Sequence, residues 1–203
     1  MKLTWYGHSC FLVESAEGSA VFDPYAPGSV PGWRLPPLTA DIVLASHGHA
    51  DHSYAAGVTL TGRKPGFRVI ELASFHDEQR GEKRGENTIR VIESEGLRLA
   101  HLGDLGHALT PALAEALKDL DVLLLPVGGF YTIGPEEAWT IVDELKPRCT
   151  VPMHYRGRGF GYDVIAPLED FLKLAGDYTR LQTNSLTVGE HSGVVVLTAN
   201  THE

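Results

Sequence analysis

The chain is short of positive charge, of cysteine and of long apolar runs, and each shortage closes off a class of protein. It carries 17 Lys and Arg against 26 Asp and Glu, a formal net charge of −9. Broad nucleic-acid binding needs a basic face, so a polynucleotide partner is not expected. No apolar run approaches the roughly 18 residues that span a bilayer. The opening Met1-Lys2-Leu3-Thr4-Trp5-Tyr6-Gly7-His8 is too polar for a secretory signal. A membrane partner is therefore not expected either. The two cysteines, Cys10 and Cys149, form no C-x-x-C and no disulfide framework, which fits the cytoplasm. There is no G-x-S-x-G elbow, no H-E-x-x-H helix, no tandem repeat and no low-complexity stretch.

What is present reads as one domain over residues 1–203. The length suits a single core, 43% of residues are hydrophobic, and no linker divides the chain. The spacing predicts strands over Lys2–Tyr6, Ser9–Ser15 and Ser19–Asp23, with a turn at Ala16-Glu17-Gly18. Pro24–Pro37, with five prolines, is a loop. Further strands are expected at Ile42–Ser46, Arg68–Ser74, Asn87–Ser94, Leu97–His101, Asp121–Val127, Thr150–Met153 and Gly193–Thr198. Helices are expected from Thr110-Pro111, over Gly134–Lys146 and over Ala166–Ala175, the first with Thr as cap and Pro at its first position. Strands first, then strands alternating with helices, predicts an α/β layered domain.

The residues with chemistry to offer are concentrated in His47-Gly48-His49-Ala50-Asp51-His52. Imidazole and carboxylate suit zinc, and also iron or manganese. A helix would spread these side chains around its circumference, whereas a loop leaving a strand can turn them to one point. The plainer alternative is a solvated turn whose polar residues cap a helix.

This His-x-His-x-Asp-His string resembles the signature of the metallo-β-lactamase superfamily. Gly7-His8-Ser9-Cys10-Phe11 and Phe22-Asp23-Pro24 resemble the opening of its simple bacterial branch, which includes ascorbate-6-phosphate lactonase-like proteins. Phe75-His76, His101-Leu102-Gly103-Asp104 and Pro152-Met153-His154-Tyr155 resemble its later ligand segments. The resemblance implies a four-layer αββα sandwich and two divalent metal ions, zinc first. It implies His47, His49 and His76 on one ion, Asp51, His52 and His154 on the other, and Asp104 bridging them, with Asp51 and Asp104 the catalytic carboxylates. Two such ions, two carboxylates and a hydroxide carry a net charge of about +1, which attracts an oxygen-rich or anionic substrate even in an acidic protein.

The activity implied is hydrolysis of an ester-type bond, in a lactone, a carboxylic ester or a phosphoester of a small molecule, by metal-activated hydroxide. A nuclease or phosphodiesterase, an iron-dependent redox enzyme such as a persulfide dioxygenase, and a non-catalytic metal-binding module are the alternatives. Charge and length oppose a nuclease. His49 stands where flavin-linked di-iron relatives carry Glu. The sequence sets no oligomeric state.

Several residues are candidates for supporting the metals or meeting substrate: His8, Asp23, His107, Arg84, Asn87 and Tyr155. Asp23 is expected to orient a ligand or a loop, since outer groups fix the tautomers of metal-binding imidazoles. His101 alternates away from Asp104 and reads as structural. His191 and His202 read as solvated. Arg80, Lys83 and Arg84 share a loop that either meets an anionic group or is ordinary surface. Gly157–Gly161 directly follows His154 and could line the pocket, and Trp33 either covers the site or packs its own loop down.

Overall fold

A computed structural model describes residues 1–198. His202 lies outside the described residues. Apolar, mostly buried residues build the first strands: β1 (Lys2–Trp5), β2 (Phe11–Ser15) and β3 (Gly18–Phe22), an antiparallel meander in which Leu3, Phe11, Val13, Ala20 and Phe22 are buried. Two short strands follow the Pro-rich loop, β4 (Leu38–Ala40) and β5 (Ile42–Leu44). After a 3₁₀ turn at Ala55–Gly57 comes β6 (Val58–Leu60), which pairs with β4 in a two-stranded sheet. The chain then enters a second sheet through β7 (Arg68–Phe75), β8 (Glu86–Ser94) and β9 (Leu97–His101).

From there strands and helices alternate: α1 (Pro111–Ala116), β10 (Val122–Pro126), α2 (Pro135–Leu145), β11 (Cys149–Met153), α3 (Leu168–Ala175), β12 (Tyr178–Arg180), β13 (Ser185–Thr187) and β14 (Gly193–Val196). The sheet orders are β13-β1-β2-β3-β5 and β12-β14-β11-β10-β9-β8-β7. β9, β10 and β11 run parallel, and every residue of β10 and β11 is buried. Burial on both faces is what a helix-covered parallel sheet requires. One face of these strands meets the five-stranded sheet, since a single core joins residues of both; Phe22 of β3, for example, stacks on His101 of β9 at 4.9 Å. The other face is covered by the helices, through Leu113, Ala138, Ile141, Phe171 and Leu172.

The helix starts follow local chemistry. Thr110 Oγ1 accepts from the Leu113 amide at 3.2 Å ahead of Pro111. Glu137 reaches back to accept the Gly134 amide at 3.0 Å. Lys146 ends α2 in a left-handed conformation just before Pro147.

The α/β sandwich is as expected, with its helical cover concentrated on one side. Among the described residues no α-helix precedes Pro111. The prolines of 24–37 deny that segment a helix, and it lies against the first sheet as irregular chain. No helix among the described residues is long and apolar enough to cross a membrane.

Candidate metal centre

The strands deliver the polar residues to one edge. Asp23, His47, His76, Asp104 and His154 each lie one to three residues past the carboxyl end of β3, β5, β7, β9 or β11, the edge where α/β sheets commonly build function. His8 stands in the turn between β1 and β2. His8, Asp23 and His154 hold φ of 51°, 42° and 53°. Left-handed backbone of this kind costs about 1–3 kcal/mol per residue and persists only where surroundings enforce it.

All seven expected ligands converge. The Asp104 carboxylate is the centre. Its Oδ2 lies 3.2 Å from His52 Nε2, 3.2 Å from His76 Nε2, 3.3 Å from His154 Nε2 and 4.0 Å from His47 Nε2. Donor atoms of His47, His49 and His76 fall within 4.8 Å of one another, as do those of His8, Asp51, His52 and His154. Two donor clusters thus flank one shared carboxylate.

The far ends of the rings are anchored where it matters. His52 Nδ1 donates to Asp23 Oδ2 at 2.7 Å. Asp23 also accepts the Ser46 amide at 2.6 Å and the Ser46 hydroxyl at 2.7 Å. That hydroxyl in turn lies 2.9 Å from His47 Nδ1 and accepts its proton. His76 Nδ1 donates to the Tyr131 carbonyl at 3.0 Å. Each of these bonds places the proton on Nδ1 and leaves the Nε2 lone pair facing the cluster. The Asp104 backbone is held too: its amide donates to Asn87 Oδ1 at 3.0 Å, and Asn87 Nδ2 donates to the Leu102 carbonyl at 2.9 Å. Gly103 allows this, because a Cβ there would come within 2.4 Å of both Asn87 Oδ1 and Ser46 Cβ.

The electrostatics follow from burial and crowding. Burial alone would raise the Asp104 carboxyl, but the His154 and His52 imidazoles hold it well below the ordinary range. Burial pushes His8 down to about 3 and His47 down to about 4, so both are neutral donors at pH 7. Burial opposes a charge on His52, and the Asp104 and Asp23 carboxylates overcome it, raising that imidazole well above its usual value, so an ion binding at Nε2 would have to displace a proton there.

The donors also pass a test of fit. Among the described residues, His8 Nδ1 and Nε2, His47 Nε2, His52 Nε2, His154 Nδ1 and Nε2 and Asp104 Oδ1 are buried without a hydrogen-bond partner. Buried polar atoms are ordinarily satisfied, and a cluster of orphans on one carboxylate is what a set of nitrogen and oxygen donors for divalent ions looks like.

The outer candidates divide. Asp23 orients His52, as expected. His8 joins the donors of the second cluster directly rather than standing behind them. Asn87 positions Asp104 and is buried, so it does not meet substrate. Tyr155 is corrected: it packs among Trp5 and Phe160, with ring centroids 5.7 and 6.0 Å away, as part of the core. His107 accepts the Phe75 amide at 3.2 Å and lines a cleft beside the cluster, not the cluster itself. His101 is structural, with Nε2 donating to the Ser9 carbonyl at 2.9 Å. His191 is half-buried ahead of β14. Trp33 packs its loop down, its ring where a Gly7 Cβ would stand and 5.3 Å from Trp5.

A cavity of about 330 Å³ opens onto the cluster and is lined by His49, Asp51, His76, Asp104 and His154, with Lys83, Arg84, Tyr131 and Tyr162 at its walls. The two tyrosines carried no signal in the sequence. Tyr162 belongs to the segment after His154: its hydroxyl lies 3.2 Å from Asp51 Oδ2 and 2.5 Å from the Ser29 carbonyl.

Two facing sheets with a histidine and aspartate cluster at their strand ends define a metallo-β-lactamase type of fold and site. The profile of the beta-lactamase superfamily domain matches residues 2–154, and the chain belongs to that superfamily. A Thermotoga maritima protein, provisionally named a Zn-dependent hydrolase of the metallo-beta-lactamase superfamily, has a crystal structure that superposes with a TM-score of 0.76. It is 38% identical, covering 97% of each chain. A protein named UPF0173 metal-dependent hydrolase from Thermococcus onnurineus is 29% identical over 87% of this chain and 93% of its own. Its namesake from Carboxydothermus hydrogenoformans is 29% identical over 76% and 84%. None of these names carries the narrower lactonase likeness.

Proposed function

We propose that this chain is a metal-dependent hydrolase that cleaves an ester-type bond (lactone, carboxylic ester or phosphoester) in a small molecule, with residues 1–203 acting as one catalytic unit. The observation that carries the reading is Asp104 Oδ2, a single carboxylate oxygen within 4.0 Å of four imidazole nitrogens. His47, His49 and His76 would hold one divalent ion, His52, Asp51, His154 and His8 the other, and Asp104 both. Zinc suits this donor set best, with manganese or iron the alternatives. When bound, such ions act as Lewis acids that polarise the scissile group and make water a nucleophile near neutral pH.

The chain's own groups then have defined tasks. Asp104 neutralises charge between the two donor clusters. Asp23 and Ser46 fix the tautomers of His52 and His47. Asp51 faces the cavity, and although burial opposes its charge, His8 and His52 hold its carboxyl below the usual range. Its position in the cavity wall lets it accept a hydrogen bond from a water and so orient it. The Tyr162 hydroxyl stands beside that carboxylate, its one proton shared between Asp51 and the nearer Ser29 carbonyl.

The cavity is of small-molecule size, and the net charge of −9 opposes a polynucleotide. Cys10 and Cys149 are buried free thiols, which supports action in a reducing cytoplasm. The test is metal analysis followed by turnover on a panel of lactones, carboxylic esters and phosphodiesters. Two ions per chain with turnover of one ester class is the expected result. A fully loaded protein inert to all three classes would instead support a metal-binding module.

A further inference from the structure

The loop that follows His76 is organised around one buried carboxylate. Asp77 Oδ1 accepts the amides of Gln79 and Gly81 at 2.8 and 2.9 Å, and Oδ2 those of Lys83 and Arg84 at 3.0 and 2.8 Å. Gly81 and Gly85, both at positive φ, let the chain curl around it, and the Gly85 amide closes the turn on the Gly81 carbonyl at 2.9 Å. Four bonds to one carboxylate, itself rooted beside a metal-donor histidine, make this a constructed loop rather than slack surface.

The loop presents Lys83 and Arg84 to the cavity over the metal cluster. Arg84 is half-buried, its guanidinium carbon 5.7 Å from the Tyr131 ring centroid, and the Tyr131 carbonyl holds His76. Stacking of this kind fixes the plane of the guanidinium. Lys83 and Arg84 have no ion pair among the described residues, although Glu82 and Glu86 are their near neighbours in sequence. What sets these two apart is position: both line the cavity over the donor cluster with no carboxylate of their own to neutralise them.

Charge also says on which side of them a ligand sits. The adjoining cleft of about 280 Å³ shares Lys83, Arg84 and Tyr131 but carries Asp77, Glu78 and Glu137, which repel an anion. The carboxylates on the cluster side are Asp51 and Asp104, whose charge bound metal would offset. We propose that Lys83 and Arg84 form an anion clamp, and that the substrate carries a carboxylate or phosphate group away from the bond being cleaved. Its part in turnover rests on the hydrolase reading; its existence as a binding site does not.

The experiment is calorimetric titration of the metal-loaded full chain with inorganic phosphate and, separately, with succinate, in wild type and in K83Q/R84Q. Metal content is measured on every sample, and a matched pair of aryl esters, one neutral and one ending in a carboxylate, is assayed in parallel. The expected result is binding of at least one probe, weakened about tenfold or more in the double variant at unchanged metal content, as loss of two charge-assisted contacts implies. The probe that binds identifies the group. The preference of the wild type for the anionic ester should fall together with that affinity. Equal probe affinity in both proteins would show that the metals alone hold the anion and would overturn the clamp, as would binding of neither probe. Probe binding that depends on the two cations, with no ester turned over, would sink the hydrolase reading and leave the clamp standing.

Discussion

Asp23 Oδ2 and His52 Nδ1 stand 2.7 Å apart, and both side chains are shut off from solvent. That bond sets which nitrogen of His52 is left to face Asp104. In D23N the amide oxygen could still accept, but the negative charge that makes His52 a strong donor is gone. Metal affinity should fall about 10- to 100-fold, the usual cost of losing such a supporting partner. Competition with a chromophoric chelator measures it. Unchanged affinity would show that the second cluster does not depend on Asp23.

Asp104→Asn keeps the shape of the central side chain and removes its charge, and an amide nitrogen has no lone pair for a metal. Because a direct ligand should matter more than a supporting one, turnover should drop by more than about 100-fold, with fewer ions retained per chain. Asp121 is the control. Its Oδ2 accepts the Arg98 amide at 2.9 Å, a bond that an Asn oxygen can keep, and it lies in none of the donor clusters. D121N should retain full metal content. Full metal content and activity in D104N would remove Asp104 from the centre of the mechanism.

The convergence of the candidate donors is legible in the sequence because such residues are chemically conspicuous. His47, His49, Asp51 and His52 announce themselves by density, and the resemblance supplied His76, Asp104 and His154. What supports them was less visible. Asn87 is a candidate for meeting substrate in the sequence, but it lies on the inward face of β8, where its buried amide meets the Asp104 backbone. Tyr155 follows His154 directly, and the left-handed turn at His154 sends it into the core instead of the cavity. Tyr131 and Tyr162 were overlooked because nothing local marks an aromatic in a loop as a cavity wall. Four strands, β4, β6, β12 and β13, were missed for a different reason. Each is three residues long, too short for alternation to show, and is defined by pairing with distant chain, as β13 is with β1.

Burial raises the Cys10 thiol well above its ordinary value and pushes Cys149 up to about 12. The thiolate is the reactive form, so neither side chain should react with a disulfide reagent in the native protein at pH 8, and both should react in guanidinium. The same shifts set a sign for stability. An unfolded cysteine releases its proton near pH ~8.5 while the folded one keeps it, so the native state binds more protons above that pH. This contribution is fully present below about pH 8.5 and is lost progressively as pH rises towards 12. Replacing Cys149 by Ala should flatten the alkaline limb of the denaturation midpoint. Rapid labelling of the folded protein at pH 8 would show that the thiols are not sealed.

His8 decides how the second cluster is built. Both of its ring nitrogens are buried and unpartnered, its ring centroid is 4.1 Å from that of His154, and its Nε2 is 3.5 Å from Asp51 Oδ2. Its donor atom lies within 4.8 Å of those of Asp51, His52 and His154, so an ion among them would satisfy a nitrogen that no hydrogen bond among the described residues does. As a donor to an ion that Asp51, His52 and His154 would hold, it would give its left-handed backbone a task. H8Q keeps a polar group of similar reach but a poorer ligand, so occupancy of one of the two sites should fall while the other remains filled. The measurement is metal stoichiometry per chain under a series of buffered free-metal concentrations. A titration in H8Q that superimposes on wild type at both sites would return His8 to a role behind the ligands.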